Sequence, residues 1–460
     1  MTEMNPEHLL AFESMVAADR FSTGESVLDL HAKDQSRHPA ARPEAVIWPL
    51  QAEEVVPILR YANTHRIAVT CWGSGSSLEG NPIPVQGGVV LDFAQMNRIL
   101  AIRESDFQAD VEPGVIYQDL NQALRSTGLF FAPDPGARAT IGGMIANNAS
   151  GTKTVRYGAT KQHVMRLSVI LASGERLELG TQASKSSSGF DLLPLFVGSE
   201  GTLGVIVQAT LRLDPLPQEG CAAIATFPDL ASASRVVFEI IRYGLDPAML
   251  ELMAPECVAL MNQEKQLGLN PSPTLFMEFH GATQAQLADV LEMVADICGQ
   301  HGCLHLSRGM GAMEQQKLLE ARHHLGEMIM RNHPGSDLFI IDVAVPISAF
   351  PEMVRTAEAE RAATGLSGYT FGHAGDGNVH FTLLGERDNA RQWELIHAVG
   401  DRMVAKALEL GGTATGEHGV GIGKRRFMVR EHAGALAWMK AVKKMFDPMG
   451  ILNPGKIFPD

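Results

Sequence analysis

The sequence predicts an α+β fold with more than one domain. The chain has 460 residues, which is more than a single hydrophobic core ordinarily supports. The first half alternates strand-like runs with helices and Gly-rich turns. The second half alternates β runs such as C-A-A-I-A-T-F and T-L-F-M-E-F-H with long helices, a pattern typical of an antiparallel sheet covered by helices.

The composition excludes several classes of function. Hydrophobic residues make up 45% of the chain and charged residues 20%, as in ordinary globular proteins. The formal net charge of −14 argues against a nucleic-acid partner, which would require a basic face. The cysteines form no C-x-x-C pair, so we expect neither a disulfide framework nor an iron–sulfur centre. The sequence also lacks the pattern of a signal peptide and an apolar run of about 18 residues, so we expect no transmembrane segment.

The first elements end in a Gly-rich turn. Residues from about Pro6 to Leu30 are predicted to form an amphipathic helix that serves as a packing arm. A strand from Ala45, a helix from near Ala52 and the strand I-A-V-T-C-W follow. This last strand leads into G-S-G-S-S-L-E-G at 73–80, which favours phosphate contact over a plain turn between strands. No helix follows the turn, so a Rossmann site is not expected.

Two further Gly-rich segments follow in the same half. The stretch at 134–158, D-P-G-A-R-A-T-I-G-G-M-I-A-N-N-A-S-G-T-K-T-V-R-Y-G, is too poor in bulky side chains to pack for its own sake. Glycines let the backbone approach a ligand closely, so a ligand contact is favoured over a mobile loop. A helix predicted before this stretch ends at Gly128. With F-V-G-S-E-G-T-L-G-V-I at 196–206, three such segments are expected to converge on one large ligand.

In this order, the three segments closely resemble the FAD-binding domain of the vanillyl-alcohol oxidase / para-cresol methylhydroxylase flavoprotein family. Within that family the resemblance is to the cytochrome-type, FAD-dependent D-lactate dehydrogenases. It implies two α+β subdomains with FAD between them, and a substrate (cap) domain with an antiparallel sheet. Ser76 stands where some relatives carry the histidine that attaches FAD, so non-covalent FAD is implied. The implied FAD-binding residues are Gly73, Ser74, Gly75, Ser76 and Ser77 at the pyrophosphate, Gly142, Gly143, Asn147, Ser150 and Gly151 along the flavin, and Glu200, Gly201, Gly204 and Ile206 at the other end.

The expected domain organisation follows from these segments and from the prolines near 214–217. Residues 1–36 are expected to form an N-terminal helical arm and residues 37–216 the FAD-binding domain. Residues 217–445 are expected to form the substrate domain. The resemblance implies that the tail, 446–460, returns to the FAD domain and places Asn453 near the flavin.

The second half carries two clusters of chemically active residues. The first is F-G-H-A-G-D-G-N-V-H, with His373 and His380, and the second is T-G-E-H-G-V-G, with Glu417 and His418. From the residues alone, a metal site and ordinary core histidines are equally open. The resemblance implies that His373, His380 and Glu417 bind a divalent metal, Zn or Mn, and that His418 is the catalytic base. It also makes Asn378 a hydrogen-bond partner of the substrate or the metal.

Two further residues bear on the substrate. Taken alone, Arg322 is best interpreted as a solvated helix arginine, whereas the resemblance implies that it grips the substrate carboxylate. Hydroxyglutarate-type relatives carry a lysine for a distal carboxylate, and Ile340 stands at that position here. An isoleucine accepts an alkyl chain and cannot pair with a charge.

The predicted function is FAD-dependent oxidation of a D-2-hydroxy acid, D-lactate or a longer alkyl homologue, to the 2-oxo acid. Hydride is expected to pass to flavin N5. The electrons are expected to leave through a cytochrome, a quinone-linked carrier or an electron-transfer flavoprotein. The alternatives are a D-2-hydroxyglutarate or glycolate dehydrogenase of the same family, or a non-catalytic FAD-binding subunit. A cytoplasmic protein is expected, with a peripheral position at the inner membrane face and a homodimer both compatible with the resemblance.

Overall fold

The computed structural model describes residues 4–265, 268–311 and 325–459. The chain forms two compact units. The first unit combines Met1–Ser150, Ala159–Leu216 and Glu417–Asp460, and the second combines Gly151–Gly158 with Pro217–Gly416. Within the described ranges, no helix combines the length and the apolar character that crossing a lipid bilayer requires.

Strands and helices of the described residues are numbered in chain order. The strands are β1 Phe21–Ser22, β2 Ala45–Ile47, β3 Val69–Trp72, β4 Val89–Asp92, β5 Ile99–Arg103, β6 Gln108–Val111, β7 Leu129–Phe130, β8 Val164–Ile170, β9 Arg176–Gly180, β10 Val205–Arg212, β11 Asp214–Pro215, β12 Glu219–Thr226, β13 Met249–Met253, β14 Thr274–Gly281, β15 His305–Met310, β16 Ser336–Ala344, β17 Gly368–His373 and β18 Asn378–Glu386. The helices are α1 Pro6–Glu13, α2 Glu25–Leu30, α3 Ala52–His65, α4 Tyr117–Ala123, α5 Ile141–Asn147, α6 Thr154–Tyr157, α7 Thr160–His163, α8 Leu193–Phe196, α9 Leu230–Arg242, α10 Pro255–Lys265, α11 Gln284–Gln300, α12 Leu325–Asn332, α13 Phe350–Thr364, α14 Ala390–Glu409, α15 Met428–Glu431 and α16 Leu436–Phe446.

The first unit contains two main sheets. In the four-stranded sheet β1-β2-β4-β3, β4 pairs with β2 and β3 in parallel, and α3 connects β2 to β3. In the five-stranded sheet β5-β6-β10-β8-β9, all neighbours are antiparallel. One hydrophobic core lies against the five-stranded sheet, and a second combines residues of both sheets, such as Val89 of β4 and Val205 of β10. Near the end of the chain, Leu452 forms a parallel bridge to Val69, so this late segment extends the edge of the first sheet.

The second unit is built on an antiparallel seven-stranded sheet in the order β15-β12-β14-β13-β17-β18-β16. One face packs against α10 and α12 through an apolar cluster that includes Met253 and Phe276. The opposite face is covered by helices such as α14, whose Gly400 lies against Phe339 and Ile341. The α+β fold with an antiparallel second sheet, as the sequence predicted, is confirmed.

Two predictions about helices are wrong. The helix expected from about Pro6 to Leu30 is interrupted, because Phe21 and Ser22 form β1 and pair with β2. The helix expected to end at Gly128 ends at Ala123. The Thr127 hydroxyl donates to the Leu124 carbonyl at 2.8 Å, and the residues after Gly128 form β7, which pairs with β11.

Candidate active site

A cavity in the first unit brings the three Gly-rich segments together. It has about 1240 Å³ of empty volume, part of which is open solvent at its mouth. Its walls come from the turn after β3, the start of α5 and the turn before β10. Fourteen of the fifteen residues predicted to bind FAD line it; Gly151, which belongs to the second unit, does not. The fourteen are Gly73, Ser74, Gly75, Ser76, Ser77, Gly142, Gly143, Asn147, Ser150, Glu200, Gly201, Gly204, Ile206 and Asn453.

The glycines are required by close packing within the cavity wall. A Cβ on Gly73 would lie 2.4 Å from the Thr140 hydroxyl oxygen, and one on Gly142 would lie 2.7 Å from Pro113 Cβ. Gly75 has φ +63°, a left-handed conformation that L side chains rarely adopt. The backbone of these segments therefore lies at the cavity surface with no side chain between it and a ligand.

Glu200 organises one end of this cavity from within the protein. Its carboxylate accepts hydrogen bonds from Asn81 Nδ2 at 2.7 Å, from the Val420 N–H at 2.7 Å and from the Gly421 N–H at 2.8 Å. Burial raises the pKa of this carboxyl, and the two backbone donors oppose that rise. Asn453 Nδ2 donates to the Glu200 carbonyl at 2.7 Å. Glu200 thus holds the 420–421 loop and the end of the chain against the cavity.

The pair Glu417 and His418 lies in the same cavity. Ser150 Oγ donates to Glu417 Oε2 at 3.1 Å, and Asn147 Nδ2 donates to the His418 carbonyl at 3.3 Å. Two residues predicted to contact the flavin therefore also bind the Glu417 carboxylate and the His418 backbone.

His373 and His380 meet on one face of the second unit's sheet. His373 ends β17 and His380 lies on the neighbouring β18. Their ring centroids are 5.1 Å apart with the ring planes at 89°, and their nearest ligand nitrogens lie within 4.8 Å. Both side chains are buried. The loop between β17 and β18 therefore leaves the two imidazoles next to each other.

Two fully buried carboxylates lie behind these imidazoles. Glu251 pairs with His373 in the sheet register, and its Oε1 lies 2.5 Å from His373 Nδ1. Asp342 pairs with His380, and its Oδ1 lies 3.8 Å from His380 Nδ1. Directly opposed residues of antiparallel strands project to the same face, so these four side chains form one row.

Asn378 joins the same row two residues before His380. Its Nδ2 donates to Asp342 Oδ1 at 2.8 Å and to the Val343 carbonyl at 2.9 Å. Its Oδ1 is buried and has no hydrogen-bond partner among the residues that the structure describes. Asp342 Oδ2 also accepts a hydrogen bond from the Gly416 N–H at 3.0 Å. Gly416, the last residue of the second unit, is therefore held next to this row.

Comparisons with known proteins show the family of this chain. The family model "FAD linked oxidases, C-terminal domain" matches residues 216–457, and "FAD binding domain" matches residues 43–180. The chain is 35% identical over 452 residues to "Probable D-lactate dehydrogenase, mitochondrial" of Danio rerio, covering 97% of this chain and 90% of that protein.

The chain belongs to the FAD-linked oxidases.

This FAD-linked oxidase has other relatives of similar closeness. It is 36% identical over 434 residues to "Glycolate oxidase subunit GlcD" of Bacillus subtilis (strain 168), covering 93% of this chain and 92% of that protein. Among solved structures, 4-ethylphenol oxidase from Gulosibacter chungangensis has a TM-score of 0.81 at 19% identity, covering 99% and 97% of the two chains. Para-cresol methylhydroxylase with substrate bound has a TM-score of 0.78 at 18% identity, with 99% and 97% covered. The predicted para-cresol methylhydroxylase type of fold is therefore confirmed.

The cavity of this FAD-linked oxidase fits the cofactor of its family. The glycines that border it bring backbone to the surface, and backbone N–H groups in turns suit a pyrophosphate. The wall also includes Cys71, where burial raises the pKa of the thiol to about 12. The raised pKa favours the neutral thiol, so Cys71 adds no charge to the cavity wall.

The His373–His380 row has a donor set suited to a divalent metal. Two imidazoles are common ligands of Zn and Mn sites. The buried carboxylate against His373 Nδ1 is the type of outer partner that such histidines usually have.

One predicted site residue lies outside the described residues, and two buried carboxylates near the histidines were not predicted. Arg322 lies outside the described residues. Glu251 and Asp342 were not predicted, although each is a lone acidic residue within an apolar strand run, M-L-E-L-M and F-I-I-D-V-A-V. Such a charge inside a buried strand is the signal that could have identified them, because buried carboxylates are paired or bound.

A second hydrogen-bonded row was also missed. Tyr157 Oη lies 2.7 Å from His280 Nδ1, and His280 Nε2 lies 2.6 Å from Glu278 Oε1. The backbone of His280 accepts a further bond from Arg156 Nη1 at 2.9 Å. The last residues of the 134–158 stretch are therefore hydrogen-bonded to β14 of the second unit.

Proposed function

We propose that this FAD-linked oxidase oxidises a D-2-hydroxy acid, D-lactate or a longer alkyl homologue, to the 2-oxo acid. The observation that carries the proposal is the position of His418 in the cavity that fits FAD. Relatives named D-lactate dehydrogenase, at 35% and 34% identity over nearly the whole chain, support the substrate class.

His418 is proposed to take the hydroxyl proton of the substrate. Imidazole is suited to this role because it exchanges protons near neutral pH. Asn147 holds the His418 backbone, which keeps the ring in the cavity. FAD, when bound non-covalently, supplies the acceptor for the hydride that leaves C2.

His373, His380 and Glu417 are proposed to hold a divalent metal, Zn or Mn. The two imidazoles are already together, and Gly416 is anchored to Asp342 in the same row. Glu417 is the next residue in the chain, so its Cα follows that anchor by about 3.8 Å. A bound divalent cation would lower the pKa of the substrate hydroxyl.

The substrate itself is proposed to be a small monoanion. Arg322 is suited to its carboxylate, and the buried Asn378 Oδ1 offers an acceptor to its hydroxyl or to a metal-bound water. Ile340 lies two residues before Asp342 on β16 and therefore faces the same side of the sheet as His380. Its apolar side chain favours an alkyl group over a second carboxylate, since each buried methylene gains about 0.8 kcal/mol.

The electrons are proposed to leave through an external acceptor, a cytochrome, a quinone-linked carrier or an electron-transfer flavoprotein. The relative named "D-lactate dehydrogenase [cytochrome], mitochondrial" of Arabidopsis thaliana, 34% identical with 99% of this chain and 80% of that protein covered, supports the first of these. A cytoplasmic enzyme is proposed to meet such an acceptor at the inner face of the membrane.

Steady-state turnover with an artificial acceptor tests this proposal. D-lactate and D-2-hydroxybutyrate are expected to give higher kcat/KM values than D-2-hydroxyglutarate and glycolate. Of the two alternative substrates, glycolate is the more important to test, because the Bacillus subtilis relative is named for it. A preference for glycolate or for the dicarboxylate would reject the proposed substrate class.

The role of His418 is tested in the same assay. His418→Ala is expected to retain FAD and to lose turnover by roughly 10²–10⁴-fold, the usual contribution of a general base. The exposed His305, which lies on β15 of the second unit, provides the matched control. Equal turnover of His418→Ala and His305→Ala would remove His418 from the mechanism.

A further inference from the structure

Helix α16 of the first unit has two apolar sides. One side packs into the core, where the Phe446 ring lies 5.2 Å from that of Phe196. The other side is exposed: Trp438 is 75% exposed and Met445 64%. Ala437 and Ala441 are also exposed. Residues three, four and seven apart lie on one helical face, so Ala437, Trp438, Ala441 and Met445 form a continuous strip, here called the α16 strip.

Trp438 is by far the most exposed of the four tryptophans of this protein. Trp72 and Trp393 are each 7% exposed, and Trp48 is half-buried. Met449, just after the helix, is also exposed, at 49%. Contiguous exposed apolar surface of this kind marks a site of interaction with a partner or a membrane.

Positive charge runs along the edge of the α16 strip. Lys440 and Lys444, four residues apart, are both exposed, and their ammonium groups donate to the backbone carbonyls of Pro459 and Pro448. Residues 436–446 contain lysines and no acidic residue, in a chain with a net charge of −14. This helix is therefore a basic and apolar surface on an otherwise acidic molecule.

We propose that the α16 strip docks this protein on an anionic lipid membrane, with α16 lying in the plane of the interface. Tryptophan and methionine beside lysines match the pattern of helices that insert one face among lipid headgroups. Each lysine near an anionic surface contributes about 1 kcal/mol. A second copy of the chain fits less well, because a twofold contact would place these lysines against each other.

Flotation of the FAD-loaded protein with lipid vesicles tests this docking. Binding is expected to vesicles of phosphatidylcholine mixed with phosphatidylglycerol, and not to phosphatidylcholine alone. The double variant Lys440→Glu with Lys444→Glu is expected to weaken binding by about 30-fold or more, from the loss of two lysine contributions. Trp438→Ser with Met445→Ser is expected to abolish insertion.

Matched controls lie on the second unit. Phe238 is 41% exposed on α9, and Arg391 is exposed at the start of α14. Phe238→Ser and Arg391→Glu are expected to bind as the unsubstituted protein does. All variants are expected to keep dye-linked turnover, which verifies their folding.

Trp438 fluorescence separates a membrane from a protein partner. Brominated lipids quench a tryptophan that enters the bilayer, so quenching is expected in the unsubstituted protein and is expected to disappear in Trp438→Ser with Met445→Ser. Equal binding to both vesicle types would overturn the proposal, as would unquenched Trp438 emission. A shift from dimer to monomer in the double variants, without any vesicle binding, would assign the strip to self-association.

Discussion

At the scale of single residues, the buried carboxylates behind His373 and His380 are suited to orienting the two imidazoles for the proposed metal. A carboxylate bound to one imidazole nitrogen fixes the ring and leaves the other nitrogen for a ligand. Glu251 contacts His373 Nδ1 at 2.5 Å, so Nε2 is the nitrogen left for a ligand. Glu251 is thus a positioning residue for the proposed metal.

Glu251→Gln is therefore expected to weaken metal binding by about 10–100-fold, because the amide holds the imidazole less firmly. Metal content by elemental analysis and competition with a chelator would measure this. Glu278→Gln, which alters the carboxylate next to His280, is the control and is expected to keep its metal affinity. Equal affinities of the two variants would contradict a role for Glu251.

Lys456 provides a test of stability against pH. Burial lowers the pKa of its ammonium from 10.5 to about 8, and the nearby Glu200 partly opposes this. Because the unfolded chain binds the proton more tightly, the burial penalty is fully present below pH 8 and is relieved between about pH 8 and 10.5.

The free energy of unfolding is therefore expected to rise by about 3 kcal/mol relative to Lys456→Met as the pH increases across this range. Urea titrations of both proteins at several pH values would show it. Parallel pH profiles would mean that Lys456 keeps an ordinary pKa in the folded state.

At the scale of elements, the packing of α16 against the first unit depends on one buried aromatic side chain, Phe446. Phe446→Ala is expected to lower the free energy of unfolding by about 3 kcal/mol, since it removes a buried ring from the first unit's core. Met445→Ala, at an exposed neighbouring position, is expected to change it by less than about 0.5 kcal/mol. Urea unfolding monitored by circular dichroism measures both. A larger effect at Met445 would reverse the assigned inner and outer faces.

Local sequence patterns predicted the elements that local forces determine. The strand before the turn at 73–80 and the start of α3 at Ala52 follow from apolar runs and helix periodicity. The helix expected from about Pro6 to Leu30 failed because Phe21 and Ser22 pair with β2, more than twenty residues away. The helical pattern of residues 6–30 does not show that a distant strand is available to pair with Phe21 and Ser22.

In the candidate site too, contacts between residues close in sequence could be predicted, and contacts between distant residues could not. His373 and His380 are close in sequence, so a hairpin could be expected to join them. Glu251 is 122 residues from His373, and only the register between β13 and β17 brings them into contact. No periodicity encodes that register, which depends on packing across the whole sheet. The role of Arg322 stays a prediction.

At the scale of the whole molecule, cofactor content is the most direct test. The purified protein is expected to be yellow, and acid precipitation is expected to release all of its flavin as FAD, because Ser76 has no ring nitrogen for covalent attachment. Flavin that stays with the precipitated polypeptide would contradict this. Added FAD is also expected to raise Tm of the apoprotein in proportion to the logarithm of its concentration, since it binds the folded state.

The first unit is assembled from three separated stretches of chain, and the last of them begins at Glu417. Leu452 bridges Val69, and Asn453 bonds to Glu200. During translation these residues leave the ribosome only after the entire second unit has emerged. The nascent chain can therefore fold the second unit while the first unit still lacks the segment that pairs with β3. A growing polypeptide is thus expected to bind FAD late, once residues 452 and 453 can pair with Val69 and Glu200.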